Sequence, residues 1–202
     1  ILSSAFKLKV TREDIQTLEE LQWLNDMVIH FYMALLVDRS NRENGPSVFA
    51  FTTFFYLKLC SGGYSAVRRW SKGVDLFSKD IIFVPVNLRS HWTLGVIDVR
   101  KKSVRHYDSL RQNGAEICQV LFKFLQDESL EKRKVELDCS EWTLRSMEPH
   151  EIPQQENGSD CGVFICKYAD CISRDEPMTF TQRHMPYFRR KMVLEIIHQQ
   201  LL

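Results

Sequence analysis

Three strand-like runs follow one another closely in the middle of the chain and constrain its fold more than any other feature. The runs are "DIIFVPV" (80–86), "HWTLGVIDV" (91–99) and "SVRHYDS" (103–109). The last two flank the short segment "RKK", which is typical of a β-hairpin connection. We therefore expect these runs to form the centre of a small sheet.

Helices are predicted around these strands, because apolar residues recur at helical spacing. In chain order they cover 27–39, about 115–133, a segment that begins near Cys161, and 181–202 with Pro186 in or near its first turns. Asn25 or Asp26 is the expected cap of the first. "TRED" (11–14) resembles a capping-box helix start. The remaining elements are two short helical pieces around 54–70 and two strand candidates, "FKLKV" (6–10) and "EWTLRS" (141–146). This predicts an α+β fold, with a small central sheet flanked by helices.

Composition bounds the size and the partners of the chain. With 202 residues, 44% of them hydrophobic, the chain is long enough for one core, so we expect a single domain over 1–202. Lys and Arg total 27 against 26 for Asp and Glu, which gives no argument for nucleic acid or an anionic membrane as the main partner. The longest apolar run, "VFAFTTFFYLKL", is too short and too polar for membrane insertion. The chain starts at Ile1 without a signal-peptide pattern, so we expect a trimmed fragment that lacks its targeting information.

The six cysteines favour a reducing compartment, the cytosol or the nucleus. None of them forms a C-x-x-C pair or a His/Cys spacing of a zinc site, so we expect neither a metal nor another cofactor. A chain of this size does not need disulfides. Cys60, Cys118 and Cys166 lie in apolar runs, where we expect each thiol to act as a small hydrophobe.

Cys161 stands out among the cysteines because of its context, "QQENGSDCGVFICKYADCI". "NGSD" supplies turn residues and an expected N-cap, and the apolar spacing after it predicts a buried helix that starts at or near Cys161. The N–H groups and positive dipole end of such a helix favour a thiolate, the nucleophilic form. Gly162 is expected to leave room for a substrate backbone. The alternative interpretation is a buried structural cysteine.

A nucleophilic cysteine needs an imidazole as base and a third group to orient that imidazole. His91 opens a strand directly before Trp92, whereas the other five histidines lie where surface or packing roles are the default. A hairpin centred at Val99 and Arg100 would place Asp108 opposite His91. Taken alone, Asp108 would be a turn or capping residue.

Several short segments together resemble the catalytic domain of the SUMO-specific (sentrin-specific, Ulp-type) cysteine proteases. The segments are "WLND" (23–26), "HW" (91–92), "YDS" (107–109), "IPQQ" (152–155) and "NGSDCG" (157–162). The resemblance extends over essentially all 202 residues and is strongest to the second mammalian paralogue. It implies a papain-like, Ulp-type fold with a small mixed sheet.

The resemblance also implies roles for seven residues. Cys161 would be the nucleophile, His91 the base, Asp108 its orienting group and Gln155 an oxyanion-hole donor beside the backbone N–H of Cys161. By itself Gln155 is a polar loop residue with many uses.

The remaining three roles concern substrate binding. Trp23 and Trp92 would close a narrow tunnel over the Gly-Gly tail of the modifier, since two indoles facing a slot exclude any residue with a Cβ. Core packing is the alternative for either tryptophan. Asp26 would contact the modifier, or it would simply cap its helix.

The function implied by the resemblance is a thiol protease that cuts after the C-terminal Gly-Gly of SUMO. Its partners would be SUMO precursors and SUMO-conjugated proteins, and it would act as a monomer in the nucleus, with the nuclear envelope or pore included, and partly in the cytoplasm. The loop "VNLRS" before His91 departs from the family pattern, which leaves the preferred SUMO paralogue open. Two other interpretations stay open: the same triad serving another ubiquitin-like protein or acetyl transfer, and a SUMO-binding module without turnover.

Overall fold

A five-stranded mixed sheet forms the centre of the protein. The computed structural model describes residues 1–202. The strand order is β3-β4-β5-β6-β7, with parallel pairs at the two edges and antiparallel pairs in the middle. A separate hairpin, β1-β2, lies near the N-terminus. The strands are β1 Ser3–Ala5, β2 Leu8–Val10, β3 Val48–Ala50, β4 Ile81–Leu88, β5 His91–Asp98, β6 Ser103–Tyr107 and β7 Thr143–Ser146.

Six α-helices flank the sheet, as an α+β fold requires. They are α1 Arg12–Gln16, α2 Asp26–Arg42, α3 Phe55–Val67, α4 Ala115–Arg133, α5 Cys161–Ser173 and α6 Met185–His198. The predicted bounds of α4 and the start of α5 are confirmed, and the terminal helix is shorter than predicted. The predicted capping box is present at Thr11 and Asp14. Gly63, at φ 70°, divides α3 into the two short pieces that the sequence indicated. None of the helices combines the length and the apolar character needed to cross a membrane.

The central strands are buried on both faces, and each face has its own core. Alternate residues of one strand supply the two cores: Ile81 and Phe83 pack with α2, α5 and α6, whereas Ile82 and Val84 pack with α3 and α4. This two-sided burial explains why "IIFVPV" is almost continuously apolar. The catalytic candidates lie where β5 begins, β6 ends and α5 begins.

Two expectations about local structure are wrong. Asp98 pairs with Ser103, so the β5–β6 turn holds the four residues 99–102 and is centred one residue later than predicted. In addition, Cys60 is exposed, whereas Cys118 and Cys166 are buried as expected. All six cysteines are free thiols.

Candidate active site

Cys161 is the first residue of α5, and it is only 1% exposed. The backbone N–H of Trp92, at the start of β5, donates to its Sγ over 3.5 Å. The thiol therefore lies at the N-terminal end of a buried helix, where unsatisfied N–H groups stabilise a thiolate.

The loop before Cys161 is held by side chains rather than by sheet pairing. The Oδ1 atom of Asn157 accepts hydrogen bonds from the backbone N–H groups of Ser159 and Asp160, both at 3.1 Å. Asp160 precedes the helix but its carboxylate makes no capping bond, contrary to the expectation for "NGSD". The carboxylate instead accepts bonds from Asn157 Nδ2, Gln182 Nε2 and Arg189 Nε, each at 2.8 Å.

Arg189 on α6 is buried and joins this loop to the segment that leads into Trp23. Besides Asp160, its guanidinium donates to the backbone carbonyls of Thr17 (3.2 Å), Glu19 (2.8 Å), Gln22 (2.8 Å) and Ser159 (3.1 Å). Sequence reasoning missed this residue because "FRRKM" looks like an exposed basic surface. The available signal was its spacing: Arg189 falls on the same helical stripe as Met185, Met192 and Ile196, which are all buried.

His91 and Asp108 are bonded to each other as predicted, with 2.8 Å between Nε2 and Oδ1. The same Oδ1 accepts the backbone N–H of Leu110 at 2.7 Å, which fixes the carboxylate. They are not directly opposite each other, because Leu94 pairs with Tyr107 and the register is therefore shifted by two residues. A shift of two leaves both side chains on the same face, so they meet diagonally.

The surroundings of His91 favour its charged form. Burial alone would lower the pKa of His91, but the hydrogen bonds and charges of Asp108 and Cys161 outweigh it and raise the pKa to about 9. Because Nε2 is bonded to Asp108, Nδ1 is the nitrogen available to the thiol. At neutral pH His91 is therefore mainly the imidazolium, which its bond to Asp108 orients. His106, by contrast, is buried. Burial lowers the pKa of His106 to about 4 and outweighs the charge of Asp108, which would raise it.

Gln155 is buried in the loop that leads to Cys161. Its Nε2 donates to the carbonyl of Asn157 at 2.6 Å, and its Oε1 accepts from the hydroxyl of Ser109. Its backbone N–H donates to the carbonyl of Ser109 at 3.0 Å. Because an amide nitrogen has two hydrogens, one N–H of Gln155 is left for a ligand.

The two predicted tunnel tryptophans differ in exposure. Trp23 is 55% exposed, whereas Trp92 is 2% exposed and its Nε1 donates to the carbonyl of Leu24 at 2.9 Å. A Cβ on Gly162 would lie 2.9 Å from Leu24 Cβ and 3.3 Å from Trp92 Cδ1. The expectation that Gly162 leaves space for substrate is therefore wrong: this glycine lets Leu24 and Trp92 pack against α5. The packing ties Trp23, through its neighbour Leu24, to the start of the cysteine helix.

Asp26 is the first residue of α2, and the cap of that helix is Asn25, whose Oδ1 accepts from the N–H of Val28 at 3.1 Å. Asp26 Oδ1 accepts a hydrogen bond from the hydroxyl of Thr53 at 2.7 Å. The structure thus rules out the capping interpretation of Asp26. No three His, Cys, Asp or Glu side chains are grouped so as to hold a metal ion.

Comparison with known proteins finds relatives over essentially the whole chain. Sentrin-specific protease 2 of Homo sapiens is 61% identical over 202 residues, in an alignment that covers 100% of this chain and 34% of the human protein. The sentrin-specific protease of Caenorhabditis elegans is 44% identical over 199 residues, which cover 98% of this chain and 28% of that protein. The chain thus spans about a third of the length of these relatives.

Solved structures show the same fold. The SUMO protease Ulp1 with its catalytic cysteine oxidised to a sulfinic acid has a TM-score of 0.84 at 33% identity, covering 98% of this chain and 88% of the other. The C-terminal Ulp1 protease domain in complex with Smt3, the yeast orthologue of SUMO, has a TM-score of 0.83 at 32% identity, covering 100% and 88%. The profile of the "Ulp1 protease family, C-terminal catalytic domain" matches residues 22–201. This chain therefore belongs to the Ulp1 protease family.

Proposed function

We propose that this domain is a thiol protease that cleaves after the C-terminal Gly-Gly of SUMO, both in the precursor and in conjugates to substrate lysines. The observation that carries the proposal is a buried Cys161 at a helix N-terminus beside a histidine that is itself bonded to Asp108. Relatives that match the whole chain are named as sentrin-specific proteases, and one solved relative holds a SUMO orthologue.

In the proposed reaction, the Cys161 thiolate attacks the carbonyl carbon of the terminal glycine. The resulting oxyanion accepts hydrogen bonds from the free N–H of Gln155 Nε2 and the backbone N–H of Cys161. The C–N bond then breaks, and the His91 imidazolium gives its proton to the leaving lysine amine. A water molecule then attacks the thioester carbonyl while His91 takes one of its protons; the C–S bond breaks, SUMO leaves as the carboxylate with the second proton passing to solvent, and the thiolate and imidazolium are restored. Asp108 holds His91 in orientation throughout.

Substrate selection is assigned to the tryptophans and Asp26. The exposed Trp23 and the Trp92 ring beneath Leu24 would bound the path of the tail, so that only glycines pass close to Cys161. Asp26 keeps one carboxylate oxygen beyond its bond to Thr53 for a contact with the modifier. Replacing the penultimate glycine of the tail with alanine should therefore lower kcat/KM strongly, and Trp92→Ala should reduce that discrimination.

The alternatives predict different outcomes in one experiment. The substrates are SUMO paralogues and other ubiquitin-like proteins with C-terminal fluorogenic amides. They are incubated with the wild type, with Cys161→Ser and with Cys139→Ser, a control that changes an exposed cysteine outside the proposed site. We expect release from SUMO only, loss of release in Cys161→Ser and normal release in Cys139→Ser. Release from another modifier would change the substrate assignment. SUMO binding without release by the wild type would favour a binding module.

Two further proposals concern the whole protein. We propose that the domain acts as a monomer, which light scattering at assay concentration would test. We also propose a nuclear location, including the nuclear envelope or pore, with some protein in the cytoplasm. Imaging of the tagged full-length protein would test it.

A further inference from the structure

Ser109 is a fully buried serine that directly follows Asp108 and touches Gln155 twice. It is 0% exposed. Its hydroxyl bonds to Gln155 Oε1, and its carbonyl accepts the backbone N–H of Gln155 at 3.0 Å. The mechanism above gives this serine no role, although its hydroxyl lies on the side chain assigned to the oxyanion.

The neighbours of the Gln155 amide specify which way it faces. The carbonyl oxygen of Asn157, 2.6 Å away, can only accept a hydrogen bond, so the amide atom that faces it must be Nε2. The atom that faces Ser109 is then Oε1, and the serine hydroxyl must be the donor. An amide rotated by 180° would place two oxygens against each other at Asn157.

Without the serine hydroxyl, Oε1 would be a buried acceptor with no donor. Such an acceptor loses the hydration of one polar group without gaining a hydrogen bond, and the amide would relieve this cost by shifting towards water. That movement would turn the free N–H away from the substrate. We propose that Ser109 is a positioning residue that holds the Gln155 amide with its free N–H towards the scissile carbonyl; this rests on the proposed function.

The position of Ser109 also links the proposed base to the proposed oxyanion donor. Asp108, one residue earlier, holds His91 through its carboxylate and accepts Gln154 Nε2 on its carbonyl at 3.1 Å. Two consecutive residues after the last residue of β6 therefore orient both the base and the oxyanion donor. The scissile bond needs the oxyanion donor at its carbonyl oxygen and His91 at its leaving nitrogen, so this coupling fixes the separation of the two groups.

A double-mutant cycle tests the proposal, with kcat and KM measured on a SUMO C-terminal fluorogenic amide. Gln155→Ala should lower kcat on the order of 10²-fold. Ser109→Ala should lower kcat on the order of 10-fold with KM unchanged, because it misplaces the donor without removing it. In the double variant, Ser109→Ala should cause no further loss, since the amide through which it acts is gone.

The control is Ser129→Ala, which removes another fully buried serine hydroxyl, bonded to the carbonyl of Val135 at 2.7 Å near the end of α4. It should keep the wild-type kcat. Ser109→Cys keeps a weak donor on a somewhat larger atom, so its kcat should fall between those of the wild type and Ser109→Ala. Melting temperatures of all variants distinguish a loss of folded protein from a misplaced Gln155 amide.

Four results would overturn the inference. Wild-type kcat in Ser109→Ala, or losses that multiply in the double variant, would exclude action through Gln155 while leaving the proposed function intact. Wild-type kcat in Gln155→Ala would remove the oxyanion role on which the inference rests. A wild type that cleaves no modifier would instead overturn the proposed function, and the inference with it.

Discussion

The two halves of the site are held in place by different kinds of interaction. His91 opens β5 and pairs with Leu88 of β4, and Asp108 directly follows β6, so the strand ladders determine where both residues lie. Gln155 and Cys161 belong to a loop and helix start that are held mainly by the side chains of Asn157, Ser109 and Arg189. We call these the strand half and the loop half.

The difference indicates where each half is vulnerable. Backbone ladders survive most side-chain substitutions, so changes in the strand half should alter chemistry more than geometry. In the loop half, a side chain from a remote part of the sequence, such as Arg189, holds the loop in position. Its replacement should therefore lower both stability and activity.

The largest expected effect is that of Arg189→Met. It leaves the buried Asp160 carboxylate without its charged partner and removes the guanidinium bonds to four carbonyls, of which that of Glu19 keeps the N–H of Gln22, so we expect a loss of about 3–5 kcal/mol in the free energy of unfolding. Urea unfolding at pH 7 measures it. The control from the strand half is Arg100→Met, which breaks the ion pairs of the partly exposed Arg100 with Asp98 and Asp175 and should lower the free energy of unfolding by about 1 kcal/mol. Equal losses in the two variants would contradict the distinction between the halves.

Asp108→Asn should change chemistry while leaving the fold intact. We expect kcat to fall about 10²-fold, because the amide no longer favours the imidazolium form of His91. The alkaline limb of kcat/KM, set by the pKa of His91 near 9 in the wild type, should move to lower pH. An unchanged alkaline limb would show that another group controls it.

The same pKa makes a prediction about stability. The pKa of His91 is raised from 6.5 to about 9 in the folded chain, so its charged form stabilises the fold fully below about pH 6.5. This contribution should be lost as the pH rises through 9. The difference in unfolding free energy between the wild type and Asp108→Asn should therefore shrink from pH 6.5 to 9.5.

Gly162→Ala tests the packing at the start of α5. Alanine would favour the helix by about 1 kcal/mol, but its Cβ would lie 2.9 Å from the Cβ of Leu24, an atom that cannot move without its backbone. Overpacking costs about 1–3 kcal/mol, so we expect a net loss of about 1 kcal/mol. Because Trp23 adjoins Leu24, KM for SUMO should rise as well.

Gly45→Ala, whose added Cβ meets nothing within 4 Å, is the control for adding a methyl group. An increase in melting temperature for Gly162→Ala would show that Leu24 can move away from the added Cβ.

The strand half was largely predictable from the sequence, and the loop half was not. The runs 91–99 and 103–109 place His91 and Asp108 on one sheet whatever the turn length, because an error of two residues keeps both on the same face. The turn itself was not predictable, since "RKK" does not reveal that Lys102 adopts φ 51° and makes it a four-residue turn.

The contacts of the loop half join residues that are far apart in the chain. Arg189 and Glu19 are separated by 170 positions, and neither periodicity nor composition pairs them. Trp23 and Trp92 have the same residue type but opposite burial, which depends on Leu24 and Gly162. The helix start at Cys161 was predictable because its signal, turn residues followed by apolar spacing, is local.

The smallest expected effect comes from the two-residue turn that precedes His91. Leu88 pairs with His91, and the turn residues Arg89 and Ser90 have φ of 53° and 61°, as a type I′ turn requires. Glycine adopts this conformation without a Cβ penalty, so Ser90→Gly should stabilise the fold by about 0.5–1 kcal/mol, a few degrees in melting temperature. Ser90→Ala, which keeps the Cβ, should give no increase. Activity should be unchanged in both variants, because His91 is held by the β5 ladder and Asp108 rather than by the turn. A fall in kcat for Ser90→Gly without loss of stability would show that the turn positions the base, and the strand half would then depend on local geometry as the loop half does.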